Sequence, residues 1–276
     1  MTSRQTLGQH FLISRTKAER IADALCILPE LATVIEIGPG HGELTQEIFA
    51  RIRAHESVRY IGIEKDLKLC AGLGRTFKNV RNVQFIEGDA LRVLPHLVGS
   101  EQSVIRNYGL IGNLPFSITG RLLRIIGSLE PKPLRSVFTL QREVALRLTA
   151  GPPCMNLLAA SVQFWAHAEI IDTISRTDFS PPPQIDAAVV RLKRREEKWK
   201  DSEAYYPFIK ILFKQPRKTI ANNLFEKRDR NHNRNRILKM LREKGVNPEH
   251  RPQDLSLETI KTISKLWYDK RHEAGR

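Results

Sequence analysis

The chain has 276 residues, 41% of them apolar and 27% charged, which excludes a disordered or fibrous protein and allows one large core with a smaller domain beside it. No apolar run approaches the ~20 residues of a membrane span, and the start "MTSRQTLGQHFL" lacks an apolar signal core, so the expectation is a cytoplasmic protein. Lys and Arg outnumber Asp and Glu 45 to 30, and the stretch from Arg191 to the end holds 24 basic and 12 acidic residues, so +12 of the +15 lies in the last third.

Such an asymmetry points to an anionic polymer as partner, because clustered Lys and Arg release counterions from phosphates on binding. The alternative is a basic surface that serves solubility alone. Cys26, Cys70 and Cys154 are far apart and form no metal-ligand spacing; they read as reduced structural thiols, with no metal expected.

In chain order, residues 16–28, "TKAERIADALCIL", carry apolar residues at helical spacing, and Pro29 ends them. "ATVIEIGPGHGELTQEIFARI" reads as a buried strand, a glycine turn and an amphipathic helix starting near Glu43. "VRYIGIEKD", "VQFIEGDAL" and "YGLIGNLPF" are further short strands followed by polar or helical sequence. Strand and helix alternate, which predicts an α/β fold with a doubly wound parallel sheet. "SVFTLQREVALRLTA" is another strand and helix, and "LLAASVQFWAHAEIIDTIS" a helix running into a strand. A triple-proline loop and the alternating "AAVVRL" close the sheet region. Beyond Arg195 only helical patterns remain, in "YYPFIKILF", "RNRILKMLREKG" and "LETIKTISKLWYDK". We therefore expect a domain over 1–195, a linker near 194–202, and a small helical domain over 196–276.

The strand ends carry the candidate chemistry. Gly38, Gly40 and Gly42 permit a sharp turn and a close approach of backbone to ligand. The third glycine of the dinucleotide fingerprint is replaced by Glu43, whose carboxylate at a helix start disfavours a pyrophosphate, so the expected ligand has no phosphates. Glu64, 26 residues after Gly38, falls where the second strand should end; it can accept from both hydroxyls of a ribose, or be a solvated loop glutamate. Asp89 ends the third strand and can accept from an adenine amino group, or cap the helix "ALRVL". Together they describe an adenosine-bearing, phosphate-free cofactor, and S-adenosylmethionine fits.

Asn113 to Phe116, "NLPF", follow the fourth strand. The exocyclic amine of adenine is a poor nucleophile because its lone pair is delocalised into the ring. The Asn113 side-chain oxygen and the Leu114 carbonyl can hold its two N–H groups, favour a pyramidal nitrogen and aim its lone pair at a sulfonium methyl. Pro115 fixes the backbone, and Phe116 offers a face for the flipped base, a stack of about 1 to 3 kcal/mol. No strong general base is needed, because the methylated ammonium loses its proton readily to water.

"GQHFL", "EIGPGHGELT", "IEKD", "GDAL", "GNLPF", "QREVALRL", "FSPPPQIDAAVVRL" and "RKTIANNL" occur in an order that resembles the KsgA-type ribosomal RNA adenine dimethyltransferases, from about residue 7 to 224. The resemblance implies a class I, Rossmann-like methyltransferase sheet with a last antiparallel strand and a small C-terminal helical domain. It implies transfer of two methyl groups from S-adenosylmethionine to N6 of each of two adjacent adenosines in the terminal hairpin of small-subunit ribosomal RNA. The expected partner is that RNA within a pre-ribosomal small subunit, and the expected state a monomer. Carried over by position, the cofactor contacts are His10, Leu12, Gly38, Gly40, Glu64, Asp89 and Asn113, and the target-adenine pocket runs from Asn113 to Phe116. His10, Phe116 and Pro216 depart from the asparagine, tyrosine and arginine common at those positions. Arg191, Lys193, Arg194, Arg217 and Lys218 are expected along the RNA path. The alternatives are an Erm-type enzyme acting on large-subunit RNA, a non-catalytic assembly factor, and, more distantly, a nicotinamide-dependent oxidoreductase.

Overall fold

The computed structural model describes residues 10–25, 29–53, 55, 57–99, 105–196, 202–225 and 232–273. Cys26 and the N-terminal part of "GQHFL" lie outside them. The chain forms two compact units, Met1–Leu146 with Ala166–Arg194, and Arg147–Trp165 with Arg195–Arg276.

In the first unit a two-residue strand, β1 (Phe11–Leu12), leads into α1 (Arg15–Leu25). Then β2 (Thr33–Ile37), α2 (Glu43–Ile52), β3 (Arg59–Glu64), α3 (Leu67–Thr76), β4 (Val83–Glu87), α4 (Ala90–Gly99), β5 (Tyr108–Asn113), α5 (Thr119–Ser128), β6 (Arg135–Gln141) and α6 (Arg142–Leu148) alternate along the chain. After α7 (Leu157–Gln163) come β7 (Ala166–Ile174), β8 (Phe179–Ser180) and β9 (Ala187–Arg194). The large sheet has the order β4-β3-β2-β5-β6-β9-β7. Strands β2 to β6 are parallel, and β9 runs antiparallel to both β6 and β7. Every residue of β2 is buried, as expected for a strand covered on both faces by crossover helices. On one face Ile21, Ala22 and Leu25 of α1 and Ile48 and Phe49 of α2 share a core with Val34, Tyr60, Ile111 and Val137 of the strands.

The helical unit contains α7, α8 (Ser202–Leu212), α9 (Ile220–Leu224), α10 (His232–Glu243) and α11 (Leu257–Glu273). Its core joins Ala159, Ala160 and Phe164 to Tyr205, Phe208, Leu212, Ile260 and Ile263. The Phe164 and Tyr205 rings stack at 4.0 Å, and the Tyr205 hydroxyl donates to the Ala160 carbonyl at 2.9 Å. The expected cut at 195 therefore needs revision for one segment. Residues 147–165 pack with the helices, because the apolar face of α7 finds its partners about 45 residues further along. The short α9 follows a Thr219 cap, whose Oγ1 accepts from the Asn222 amide at 3.3 Å; five residues gave no readable period.

Candidate active site

The carboxyl ends of β2, β3, β4 and β5 lie side by side in the sheet. Chain order reverses between β2 and β5, and in open α/β sheets the crevice beyond such a switch point is where ligands bind. Here it is a cleft of about 280 Å³ whose lining includes Gly38, Gly40, Glu64, Asp89, Asn113 and Phe116.

The loop after β2 turns through left-handed backbone at Gly38 (φ 69°) and Gly40 (φ 64°), a conformation costly for residues with a Cβ. A Cβ on Gly40 would also come within 3.0 Å of the Phe11 ring. Glu64 is only 2% exposed. One carboxylate oxygen accepts from the Gly40 amide at 3.0 Å and the other from the Asp66 amide at 2.9 Å. Each oxygen keeps a lone pair for a further donor, such as a sugar hydroxyl. The Gly40 amide is thus already taken by a carboxylate, and α2 opens on Glu43, so a pyrophosphate would lose that amide and meet an unfavourable field there. Asp89 caps the helix and also faces the cleft. One of its oxygens accepts from the Leu91 amide at the start of α4 at 3.0 Å, the other lies 3.4 Å from Lys65 Nζ, and the side chain still lines the cleft. Burial pushes the Asp89 carboxyl up, but the Leu91 amide, Lys65 and Arg121 outweigh it and hold it below the usual carboxylate range.

Below the loop, Glu36 is buried at 1% exposure, and one of its oxygens accepts from both Thr45 Oγ1 (2.7 Å) and the Tyr60 hydroxyl (2.5 Å). Desolvation raises its carboxyl to about 7, against the two hydrogen bonds, with Glu64 and Glu43 adding to the rise. The same burial and the adjacent Glu36 push the Tyr60 phenol well up.

At the end of β5, Asn113 Nδ2 donates to the His10 carbonyl at 2.8 Å. A carbonyl can only accept, so this bond fixes which end of the amide is nitrogen and leaves Oδ1 for another donor. The Leu114 amide donates to the Thr139 carbonyl at 3.3 Å, and the Pro115 carbonyl accepts from Ile118 in a turn at 3.1 Å. Among the described residues no group donates to the Leu114 carbonyl. The N-terminal segment is held in place by β1, which pairs antiparallel with β8 through Phe11 with Ser180 and Leu12 with Phe179, and by His10 Nδ1, which donates to the Pro181 carbonyl at 2.8 Å.

Of the expected cofactor residues, His10, Gly38, Gly40, Glu64, Asp89 and Asn113 line the cleft together with Leu114, Pro115 and Phe116. Leu12 does not; its side chain is buried in the core shared by α1, β2 and β8, because alternation along a strand sends Phe11 and Leu12 to opposite faces. Sequence reasoning missed Phe179, Arg121 and Phe11, which also line the cleft. Phe179 opens the "FSPPPQID" segment already singled out, and Arg121 sits on the helix after "NLPF"; a charge on that helix was the available signal.

A family model described as ribosomal RNA adenine dimethylase matches residues 1–269. The chain belongs to this family. A ribosomal RNA small subunit methyltransferase A from Dehalococcoides mccartyi (strain ATCC BAA-2266 / KCTC 15142 / 195) is 32% identical over 270 residues, covering 97% of this chain and 89% of the relative. The protein of that name from Geobacillus thermodenitrificans (strain NG80-2) is 31% identical over 269 residues, covering 95% and 89%. In fold, the chain is similar to a dimethyladenosine transferase from Plasmodium falciparum (TM-score 0.77, 20% identity, 95% of this chain and 98% of that one) and to the 23S rRNA methyltransferase ErmE (TM-score 0.71, 23% identity, 92% and 98%). The fold is that of a class I methyltransferase.

In this dimethylase the expected RNA-path residues are not equivalent. Arg191 Nε donates to Glu169 Oε1 across the β7–β9 pair at 2.7 Å, and Arg194 Nη1 to the Lys132 carbonyl at 3.1 Å. The side chain of Lys193, also on β9, is exposed and makes no hydrogen bond or ion pair among the described residues. In the helical unit Arg217 and Lys218 are exposed on the turn between α8 and α9. Asn223 holds that turn: its Oδ1 accepts from the Gln215 amide at 2.9 Å, and its Nδ2 donates to the Gln215, Lys218 and Thr219 carbonyls at 3.0 to 3.2 Å. Pro216, the departure from arginine, lies in the same exposed turn. At the other two departures, the His10 and Phe116 rings approach to 6.0 Å.

Proposed function

We propose that this dimethylase methylates N6 of two adjacent adenosines in the terminal hairpin of small-subunit ribosomal RNA, with S-adenosylmethionine as donor. The observation that carries this reading is the pair of acceptors at the end of β5: Asn113 Oδ1, oriented by the His10 carbonyl, and the unengaged Leu114 carbonyl. Bound in the cleft, S-adenosylmethionine supplies an electrophilic sulfonium methyl. Glu64 accepts from the ribose hydroxyls, Asp89 accepts from the cofactor's adenine amine, and the glycine turn lets backbone approach the rest. The cradle fits a phosphate-free ligand, since Glu64 occupies the Gly40 amide that a phosphate would need.

The target amine donates its two N–H groups to Asn113 Oδ1 and the Leu114 carbonyl, which localises the nitrogen lone pair for attack. Prepositioned polar partners of this kind are worth about 3 kcal/mol each in a water-poor site. Phe116 stacks on the base, and Phe179, 3% exposed, provides an apolar wall. Small-subunit specificity is supported by relatives above 30% identity over 95% or more of the chain that bear that name; the likeness to ErmE is one of fold. Substrate within a partly assembled particle, a monomeric enzyme and a cytoplasmic location complete the proposal. No described helix is long and apolar enough to cross a membrane.

The test is transfer of labelled methyl to undermethylated small subunits and to protein-free large-subunit RNA, with nuclease digestion and mass spectrometry and Asn113→Ala as control. The expected product is N6,N6-dimethyladenine in small-subunit RNA, lost in the control. Product in large-subunit RNA alone would move the enzyme to the Erm-type reading, and tight subunit binding without transfer would make it an assembly factor.

A further inference from the structure

A second groove, of about 770 Å³, opens beside the cofactor cleft and shares His10, Phe11 and Phe116 with it. Its remaining walls are Ile13, His41, Glu43 and Gln141 on one part and the Ser180–Ile185 stretch of the triple-proline loop on the other. Nothing in the methyl-transfer chemistry above uses these residues.

The chemistry of the lining selects its occupant. No Lys or Arg lines the groove, and Glu43 does, so it is unsuited to a phosphate. It is rich in flat and apolar surface instead. The His41 ring packs on Phe11 with centroids 4.5 Å apart, and two isoleucines stand open to solvent at its walls, Ile13 at 59% and Ile185 at 41% exposure. Solvent-exposed branched side chains beside aromatic rings form a surface on which a base stacks. Gln141 and Glu43 add acceptors suited to an exocyclic amine, and the Gln141 amide adds a donor.

Position selects it further. If the target adenine enters at Phe116, the neighbouring nucleotide is tethered by one phosphodiester and must lie within one backbone step of that ring. The groove begins at Phe116. We infer that it is a subsite for the base next to the reacting adenosine, the second adenine of the pair proposed above, which its amine acceptors suit, with His41 and Ile185 as its walls. The inference rests on the RNA-methylating function proposed above. It implies that the enzyme reads a dinucleotide, so that one adenosine is gripped here while its neighbour reacts.

The experiment uses the full-length protein with S-adenosylhomocysteine and a small-subunit terminal-hairpin RNA, either intact or abasic at the position next to the reacting adenosine. Loss of one stacked base is expected to weaken binding by the wild type about tenfold. Ile185→Ser and His41→Ala should weaken binding of the intact hairpin comparably, yet lose little more on the abasic one, because both changes remove one interaction. A 2-aminopurine at the neighbouring position should be quenched on binding to the wild type and less so in either variant. Independent, additive losses, or an unchanged wild-type affinity for the abasic hairpin, would overturn the inference. So would a comparable fall in S-adenosylhomocysteine affinity in Ile185→Ser, which would assign the groove to the cofactor. Methyl transfer by the wild type to undermethylated small subunits separates the two readings: transfer there with no coupling on the hairpin removes the subsite alone, and no transfer removes both.

Discussion

Glu36→Gln tests whether burial beneath the glycine loop controls a carboxyl as strongly as the geometry implies. The side chain is 1% exposed, and its ordinary value of 4.5 is raised to about 7. Between those limits the folded state holds a proton that the unfolded state has released, so stability falls as pH rises. The stabilising protonated form is fully present below about pH 4.5 and lost as pH passes 7. Over roughly 2.5 pH units at 1.36 kcal/mol each, the change amounts to about 3 kcal/mol. Glutamine imitates the protonated acid at all pH values, and because Thr45 and Tyr60 both donate to a single oxygen, its amide oxygen can accept both. The variant should match the wild type at pH 5 and exceed it by up to about 3 kcal/mol at pH 8. Trp165 and Trp267 lie in the helical unit, so their fluorescence reports on the wrong part of the molecule. Hydrogen exchange of peptides spanning β2 and β3, in urea at pH 5, 6, 7 and 8, reads the sheet directly. Parallel pH profiles for the two proteins would mean that Glu36 does not titrate in this window, and the burial reasoning would be wrong.

Asn113→Asp keeps an acceptor for the target amine but sets a carboxylate against the His10 carbonyl; methyl transfer should fall at least a hundredfold, about 2.7 kcal/mol, and near-normal transfer would show that the amide's orientation is immaterial. Gly40→Ala combines a strained left-handed backbone, about 1 to 2 kcal/mol, with a Cβ 3.0 Å from Phe11, so calorimetry should find S-adenosylhomocysteine affinity down about tenfold; unchanged affinity would place the cofactor away from this loop. Lys193→Ala should reduce the slope of log K against log salt by roughly 1, whereas Arg191→Ala, already paired with Glu169, should change it less; no change for Lys193 would take β9 off the RNA path.

The strand ends were legible because parallel, doubly covered strands are continuous apolar runs, and whatever breaks them must be glycine, proline or a polar residue with a task. "VIEIGPG", "IGIEKD", "FIEGDA" and "IGNLPF" each announce their own end. What the sequence concealed was pairing at a distance. β1 and β8 have two residues each, too few for any period, yet their pairing joins positions 11 and 180. The same range separates His10 from its acceptor on Pro181. Arg191 read as a free cation until β7 placed Glu169 across from it, and α7 read as part of the sheet domain because its partners Tyr205 and Phe208 come so much later in the chain. Leu12 was assigned by position in a motif; alternation along β1 turned it into the core.

Three consecutive residues, His10 to Leu12, tie the parts of the site to one another. The His10 carbonyl sets the Asn113 amide, its ring holds the proline loop, Phe11 lies over Gly40, and Leu12 anchors all of this in the core. A hydrogen bond of this kind contributes only about 1 kcal/mol by itself, which is too little to order a segment alone. Joined to strand pairing with β8 and to a buried leucine, it becomes one cooperative contact set. The acceptor proposed for the target amine, the glycine turn and the proline loop are therefore set by a single short segment, and the histidine at its head contacts Asn113 through its backbone carbonyl and not through the side chain that departs from the family's pattern.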